Sequence, residues 1–306
     1  MTSICSALTG VQVDAYFERI QLPGSYRRDQ SPTLDLPFLS RLQAYHVSAI
    51  PYENLSLHYA KDTKVSLDVV ELHKKLVQRH RGGYCMENNI LFHHVLLFLG
   101  FDVYLTGARL FRAGDGKSAG WSGWEHSVNI VTLDQQRYLV DVGYGGNGPR
   151  SPLPLVDGSI HENIGTQTMR LVYEPLPGSR QCQWNYQTRN AEDQLWIHNY
   201  AFTEMEFFQR DFEVMSFFTS CHSDCFLTSH LLVVKYLRDG DEVYGKIVLD
   251  GDKIKKNEGG KNVLVQTCMG ERERVEALRD RFGIELTEDE QKGIQGRVSA
   301  LAMSHS

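Results

Sequence analysis

At Gly100 the hydrophobic period of this chain changes, and the change limits the architectures open to it. Upstream, apolar residues recur at helical spacing: Val13, Tyr16, Phe17 and Ile20; then Phe38, Leu39, Leu42 and Tyr45; then Val69, Leu72 and Leu76; then Ile90, Leu91, Val95 and Phe98. The boundaries carry helix-end chemistry. Pro23-Gly24 closes the first run, Asp35 with Pro37 opens the second, Ser66 stands where a cap for the third belongs, and Gly100 stops the fourth. Residues 50–55 form an extended break. Downstream, residues 103–111, 126–133, 137–142, 166–173 and 183–188 are rich in strand formers, with 113–123 as a Gly/Ser-rich loop and 134–136 as a hairpin turn. Beyond Phe207 the pattern is mixed. Residues 230–237 and 242–249 flank a second hairpin, 263–266 add a strand, 272–282 form a helix stopped by Gly283, and Thr287 with Glu290 is a capping box. These periods predict an α+β chain in three parts: a helical bundle over 1–101, an antiparallel sheet or barrel over 102–206, and an α/β part over 207–306.

Composition narrows the function. With 306 residues, 42% apolar and 23% charged, the chain can bury a large core. A formal net charge of −6 argues against a nucleic-acid partner. The stretch 90–105 is interrupted by His93, His94, Gly100 and Asp102, too polar and short for a membrane span. Residues 1–5 lack a basic segment followed by an apolar one, so no signal peptide is expected. The six cysteines, Cys5, Cys85, Cys182, Cys221, Cys225 and Cys268, are irregularly spaced, which suits reduced thiols in the cytoplasm.

Arg81-Gly82-Gly83-Tyr84-Cys85 leads into the fourth helix and sets Cys85 in its first turn. Unpaired N–H groups and the helix dipole there favour a thiolate and are expected to lower its pKa. The two glycines would let the backbone turn sharply and leave the sulfur accessible. A buried structural cysteine is the alternative. A nucleophilic cysteine needs a base and a group that orients the base. His126 and Asp141 stand at the same end of the predicted hairpin, although regular pairing leaves them out of register, so a bulge or bend is required. Each also has an ordinary structural alternative, a packed strand-end histidine and a turn-capping aspartate.

Two other motifs carry less. Gly143-Tyr144-Gly145-Gly146-Asn147-Gly148 matches G-x-G-x-x-G, but Pro149 follows where a dinucleotide site needs a helix. Cys221-His222-Ser223-Asp224-Cys225 with His230 could suggest zinc, but there is no second matching pair.

Taken together, several motifs resemble those of the arylamine N-acetyltransferases. They are Arg81-Gly82-Gly83-Tyr84-Cys85-Met86-Glu87-Asn88-Asn89, Pro51-Tyr52-Glu53-Asn54-Leu55, Asp141-Val142-Gly143-Tyr144-Gly145, the opening 13–20 and the closing 281–284. The resemblance implies a helical bundle, a central antiparallel β-barrel and a C-terminal α/β lid around a cysteine-protease-like triad of Cys85, His126 and Asp141. It implies a ping-pong acyltransferase of xenobiotic metabolism. Such an enzyme takes acetyl, propionyl or malonyl from acyl-CoA as co-substrate and passes it to an arylamine or hydrazine, with no tightly bound cofactor and no metal. It further implies donor-site roles for Ser122, Gly123 and Ser223, acceptor-site roles for Tyr52, Leu110 and Tyr144, and a supporting ion pair between Arg81 and Glu53. Two alternatives stand beside it: a thiol hydrolase or transglutaminase-like enzyme, and a zinc-binding interaction protein built on Cys221, His222, Cys225 and His230.

Overall fold

Helix-end chemistry sets the first third of the chain. The Thr9 hydroxyl caps α1 (Gly10–Arg19), and the Asp35 carboxylate, accepting from the Phe38 amide, caps α2 (Leu36–Ala49). A short strand, β1 (Tyr52–Glu53), and one helical turn, α3 (Ser56–Tyr59), follow. Asp68, not Ser66, caps α4 (Val69–His73), accepting from the amides of Val70 and Glu71, while the Ser66 hydroxyl accepts from the Asp68 amide. The chain then widens into a π-wound turn before reaching α5 (Cys85–Leu99), which ends at Gly100 in the left-handed conformation, φ 95°. Every residue of α5 from Cys85 to His93 is buried, as are Val95 and Leu96. Over Cys85 to His93 the helix is therefore enclosed on all sides and is not a one-faced surface helix. The computed structural model describes residues 5–61, 63–114 and 119–302. The start of the chain, 1–4, and the middle of the expected 113–123 loop lie outside them.

Two antiparallel sheets make up most of the rest. The first runs through β2 (Asp102–Arg112), β3 (Gly120–Leu133), β4 (Gln136–Val140), β5 (Leu153–Pro154), β6 (Ile160–Glu162), β7 (Thr168–Pro175), β8 (Cys182–Arg189) and β9 (Ile197–Phe202), in the spatial order β5-β4-β3-β2-β9-β8-β7-β6. It is nearly closed and barrel-like, and its inner face packs Val128, Ile130, Leu139, Leu171, Tyr186, Tyr200 and Phe202. Gly120 to Gly123, expected in the loop, belong to β3. The β3–β4 turn is two residues, Asp134 and Gln135, both at positive φ (47° and 67°), the geometry that matches the twist of the strands it joins.

After α6 (Gln209–Cys221) and α7 (Phe226–Ser229), four strands, β10 (Leu232–Asp239), β11 (Glu242–Asp250), β12 (Lys253–Glu258) and β13 (Lys261–Thr267), form the second sheet. Its fifth strand is β1, pairing Tyr52 with Val234 and Glu53 with Val233. The C-terminal sheet is thereby fastened to the segment beside Cys85. Helix α8 (Glu271–Ala277), which widens into a π-wound turn ending at Gly283, and α9 (Glu288–Gly293) complete the chain, the latter capped by Thr287 and Glu290 as the sequence predicts.

Candidate active site

The nucleophile loop is held by close backbone packing. A Cβ on Gly82 would lie 2.1 Å from the Pro51 carbonyl oxygen, and one on Gly83 2.7 Å from the Glu87 Cβ. Gly83 and Tyr52 form a parallel bridge, with the Glu53 amide donating to the Gly83 carbonyl at 2.9 Å. Gly82 is therefore required by contact with the 51–53 segment and Gly83 by contact with the Glu87 side chain, not by a sharp turn; neither has positive φ.

Beneath the loop lies a cluster of buried charges. Arg81 donates from Nε (3.1 Å) and Nη2 (2.9 Å) to Glu53 Oε1. Its Nη1 donates to Glu290 Oε1 at 2.8 Å, and the Leu55 amide donates to Glu53 Oε2. Lys75 Nζ donates to Glu87 Oε1 at 2.7 Å, and Glu87 Oε2 accepts the Tyr84 amide at the head of α5. The Arg81–Glu53 pair stands where the sequence expects it. Glu290, on α9 and 209 residues away, is its unpredicted third member.

Cys85 and His126 line one cavity, and Asp141 is joined to them through His126. The His126 Nε2–H donates to Asp141 Oδ2 at 2.8 Å, which leaves Nδ1 as the ring nitrogen free of Asp141. Asp141 Oδ1 accepts from Asn89 Nδ2 (2.9 Å) and from the Gly143 amide (2.8 Å), and the Val142 amide donates to Asn89 Oδ1. Burial pushes the Asp141 carboxyl up, but the His126 imidazole, Asn89 and the Gly143 amide outweigh it and hold it below the usual carboxylate range. The register problem is resolved by local irregularity. The β3–β4 ladder pairs Asn129 with Val140 and ends there, so Asp141 has left it. On the other side of β3, pairing with β2 slips between Ala108–His126 and Arg109–Trp124, leaving Glu125 as a bulged residue. The Glu125 carbonyl accepts the Cys85 thiol at 3.5 Å. A Cβ on Gly143 would lie 2.6 Å from the Cys85 carbonyl oxygen, so the Asp141 turn rests directly on the first turn of α5.

Contrary to the sequence expectation, the thiol is not acidified by its place on the helix. Burial pushes Cys85 well above the ordinary thiol range and the Asp141 charge adds to this, while amides at the helix start pull only partly the other way. A reactive sulfur here depends on a base that takes its proton.

The cavity has a volume of about 190 Å³, and its wall includes Cys85, His126 and Gly143. Tyr52, Leu110 and Tyr144, to which the resemblance gives acceptor roles, line it together with Phe111, Arg112, Glu125, Thr219, Cys225, Phe226, Leu227 and Leu232. Tyr200 was missed because β9 was not predicted; its ring centroid lies 4.9 Å from that of His126. Three expected donor residues are not in this wall. The Ser122 hydroxyl accepts from the Leu110 amide and donates to the Gly123 carbonyl within the β2–β3 ladder, Gly123 is exposed, and Ser223 sits in the exposed turn between α6 and α7. The zinc alternative does not assemble. Cys225 faces the cavity, His230 Nε2 pairs with Asp250 at 2.6 Å, and no group of three or more His, Cys, Asp or Glu among the described residues could hold a metal. Among the described residues, no helix is long and apolar enough to cross a membrane.

Comparison with known proteins shows what this chain is similar to. The N-acetyltransferase family model matches residues 35–291. The N-malonyltransferase FDB2 of Fusarium pseudograminearum is 36% identical over 279 residues, covering 85% of this chain and 81% of that protein. The arylamine N-acetyltransferase of Mycobacterium abscessus superposes with a TM-score of 0.79 at 26% identity, over 94% of this chain and 95% of that one. The Mycobacterium marinum enzyme, solved in complex with CoA, gives a TM-score of 0.77 at 27% identity, over 94% of this chain and 98% of the other.

Proposed function

This chain belongs to the arylamine N-acetyltransferase family, and on that premise we propose that it moves an acyl group from acyl-CoA to an arylamine or arylhydrazine through a thioester on Cys85. The observation that carries the proposal is the His126–Asp141 hydrogen bond at the wall of the cavity that also exposes Cys85. The CoA complex of the mycobacterial relative supports acyl-CoA as the donor.

The chemistry follows from the thiol's environment. Because burial keeps the sulfur protonated, the proton must pass to His126, where Asp141 stabilises the imidazolium. The thiolate attacks the thioester carbonyl of acyl-CoA. The new Sγ–C bond forms as the bond to CoA sulfur breaks, and His126 returns the proton to the leaving thiolate. In the second half-reaction the amine nitrogen attacks the Cys85 thioester, the C–Sγ bond breaks, and the amine's proton returns to the sulfur by way of His126. Tyr52, Leu110 and Tyr144 give the acceptor an aromatic and apolar bed that orients a planar amine. Arg81 and Glu53 act at a distance by fixing the loop.

Mass spectrometry of the protein with acetyl-CoA and no amine tests this. One acyl group per chain, on the Cys85 peptide and discharged when an arylamine is added, is expected. Acylation at another cysteine, or none, refutes the thioester route.

A further inference from the structure

Building on the acyl-transfer function proposed above, we infer that the preferred acyl group ends in a free carboxylate, as malonyl does, and that Arg112 recognises it. The cavity wall is largely aromatic and aliphatic, and among the described residues Arg112 is its single arginine or lysine. Arg112 Nη2 donates to Glu125 Oε2 at 2.5 Å. Glu125 is the bulged residue just before His126, its carbonyl accepts the Cys85 thiol, and its side chain and that of Arg112 share one cavity wall with Cys85.

An acetyl group gives such a pair nothing to do. The methyl needs an apolar surround, and a desolvated ion pair contributes little net stability to a fold. Both residues line the cavity, and with the Glu125 side chain 4% exposed and that of Arg112 24%, the arginine is the more accessible member. A guanidinium has five N–H donors in a planar fork, and the Glu125 contact occupies one nitrogen. The remaining edge suits a second carboxylate. In a malonyl thioester on Cys85 the carboxylate carbon stands three bonds from Sγ, a short reach across the same cavity. The arrangement also accounts for the buried acid. Glu125 fixes the orientation of Arg112, and Arg112 cancels the charge that would otherwise repel an anionic acyl group. The acyl named in the relative FDB2, an N-malonyltransferase, is of this class.

The test is the rate of Cys85 acylation, without amine, by malonyl-CoA and by propionyl-CoA, which lacks the carboxylate. Wild-type protein is expected to favour malonyl by about tenfold or more, since a site built around a polar partner discriminates against a ligand that leaves it unpaired. Arg112→Gln is expected to lower the malonyl-to-propionyl ratio by about tenfold, and Arg112→Lys by less. A wild-type protein that forms the thioester but favours propionyl overturns the inference, as does a folded Arg112→Gln with an unchanged ratio. If Arg112→Gln does not fold, the wild-type ratio decides. Failure of every donor to acylate Cys85 overturns the underlying acyltransferase proposal instead, and the inference with it.

Discussion

Replacing Asp141 with asparagine changes one atom and separates the electrostatic work of this residue from its structural work. In the wild type, Oδ1 accepts from Asn89 Nδ2 and the Gly143 amide, and Oδ2 accepts the His126 Nε2 proton. An asparagine oxygen at the Oδ1 position keeps the first two bonds. Its amide nitrogen then faces His126 and donates, so Nε2 must accept. The ring proton moves to Nδ1, the nitrogen needed to take the Cys85 proton. Loss of a hydrogen bond to a charged partner costs about 1.5–3 kcal/mol, which is roughly 10- to 150-fold in rate. The reversed tautomer adds to that, so kcat/KM for acylation of Cys85 is expected to fall by about a hundredfold to a thousandfold. Iodoacetamide alkylation of Cys85 at neutral pH should fall in parallel, because burial alone keeps the thiol protonated. The melting temperature should stay close to wild type. Stopped-flow release of CoA thiol, peptide mapping and a thermal melt measure the three quantities. Acylation within a few-fold of wild type, or alkylation indifferent to the substitution, would refute the ion-pair argument.

Three further outcomes follow from other parts of the structure. Arg81→Ala leaves Glu53 buried without its guanidinium and should cost about 3–5 kcal/mol, read as a lower melting temperature; an unchanged melt would mean the pair is not a buried support. Gly143→Ala places a methyl 2.6 Å from the Cys85 carbonyl oxygen. It should cost about 1–3 kcal/mol and disturb turnover more than ten times as much as Gly146→Ala, whose Cβ meets nothing within 4 Å; equal activity of the two variants counts against the contact. Burial holds His46 down to about 3, His93 to about 3 and His58 to about 4. Below about pH 6.5 the unfolded chain therefore binds protons that the folded one does not, and stability should fall on acidification by up to about 1.4 kcal/mol per pH unit for each histidine. His46→Gln should flatten that slope, and a melting temperature constant between about pH 6.5 and 5 would disprove the linkage.

Features set by near neighbours in sequence were legible. The Asp35 cap, the Thr287–Glu290 capping box, the Gly100 and Gly283 stops and the hairpin after β3 depend on a few adjacent residues, and each was readable as such. Strand β12 was not, because Lys253, Lys255 and Lys256 give it little apolar alternation although it pairs on both sides. The motif residues Asn54, Asn88 and Asn89 were visible only as parts of a pattern. Their tasks are long-range: Asn54 Nδ2 donates to the Leu227 and His230 carbonyls, Asn88 Oδ1 pairs with His46 Nε2, and Asn89 joins α5 to Asp141. The bulge at Glu125 exists only in the pairing of two strands, so the sequence could require it without locating it. The direction of the Cys85 shift was misjudged for a similar reason. The helix end is a local feature, whereas the desolvation that outweighs it comes from elements throughout the fold.

The contact between Arg81 and Glu290 has a consequence for biosynthesis. A ribosome makes Cys85 long before it makes α9, and until then the guanidinium beneath the nucleophile lacks one of its two carboxylate partners. Nascent chains therefore carry an unfinished nucleophile loop through most of translation. Completion of the reactive centre is coupled to arrival of the C-terminal helix, so a truncated product retains the cysteine without the full support that positions it.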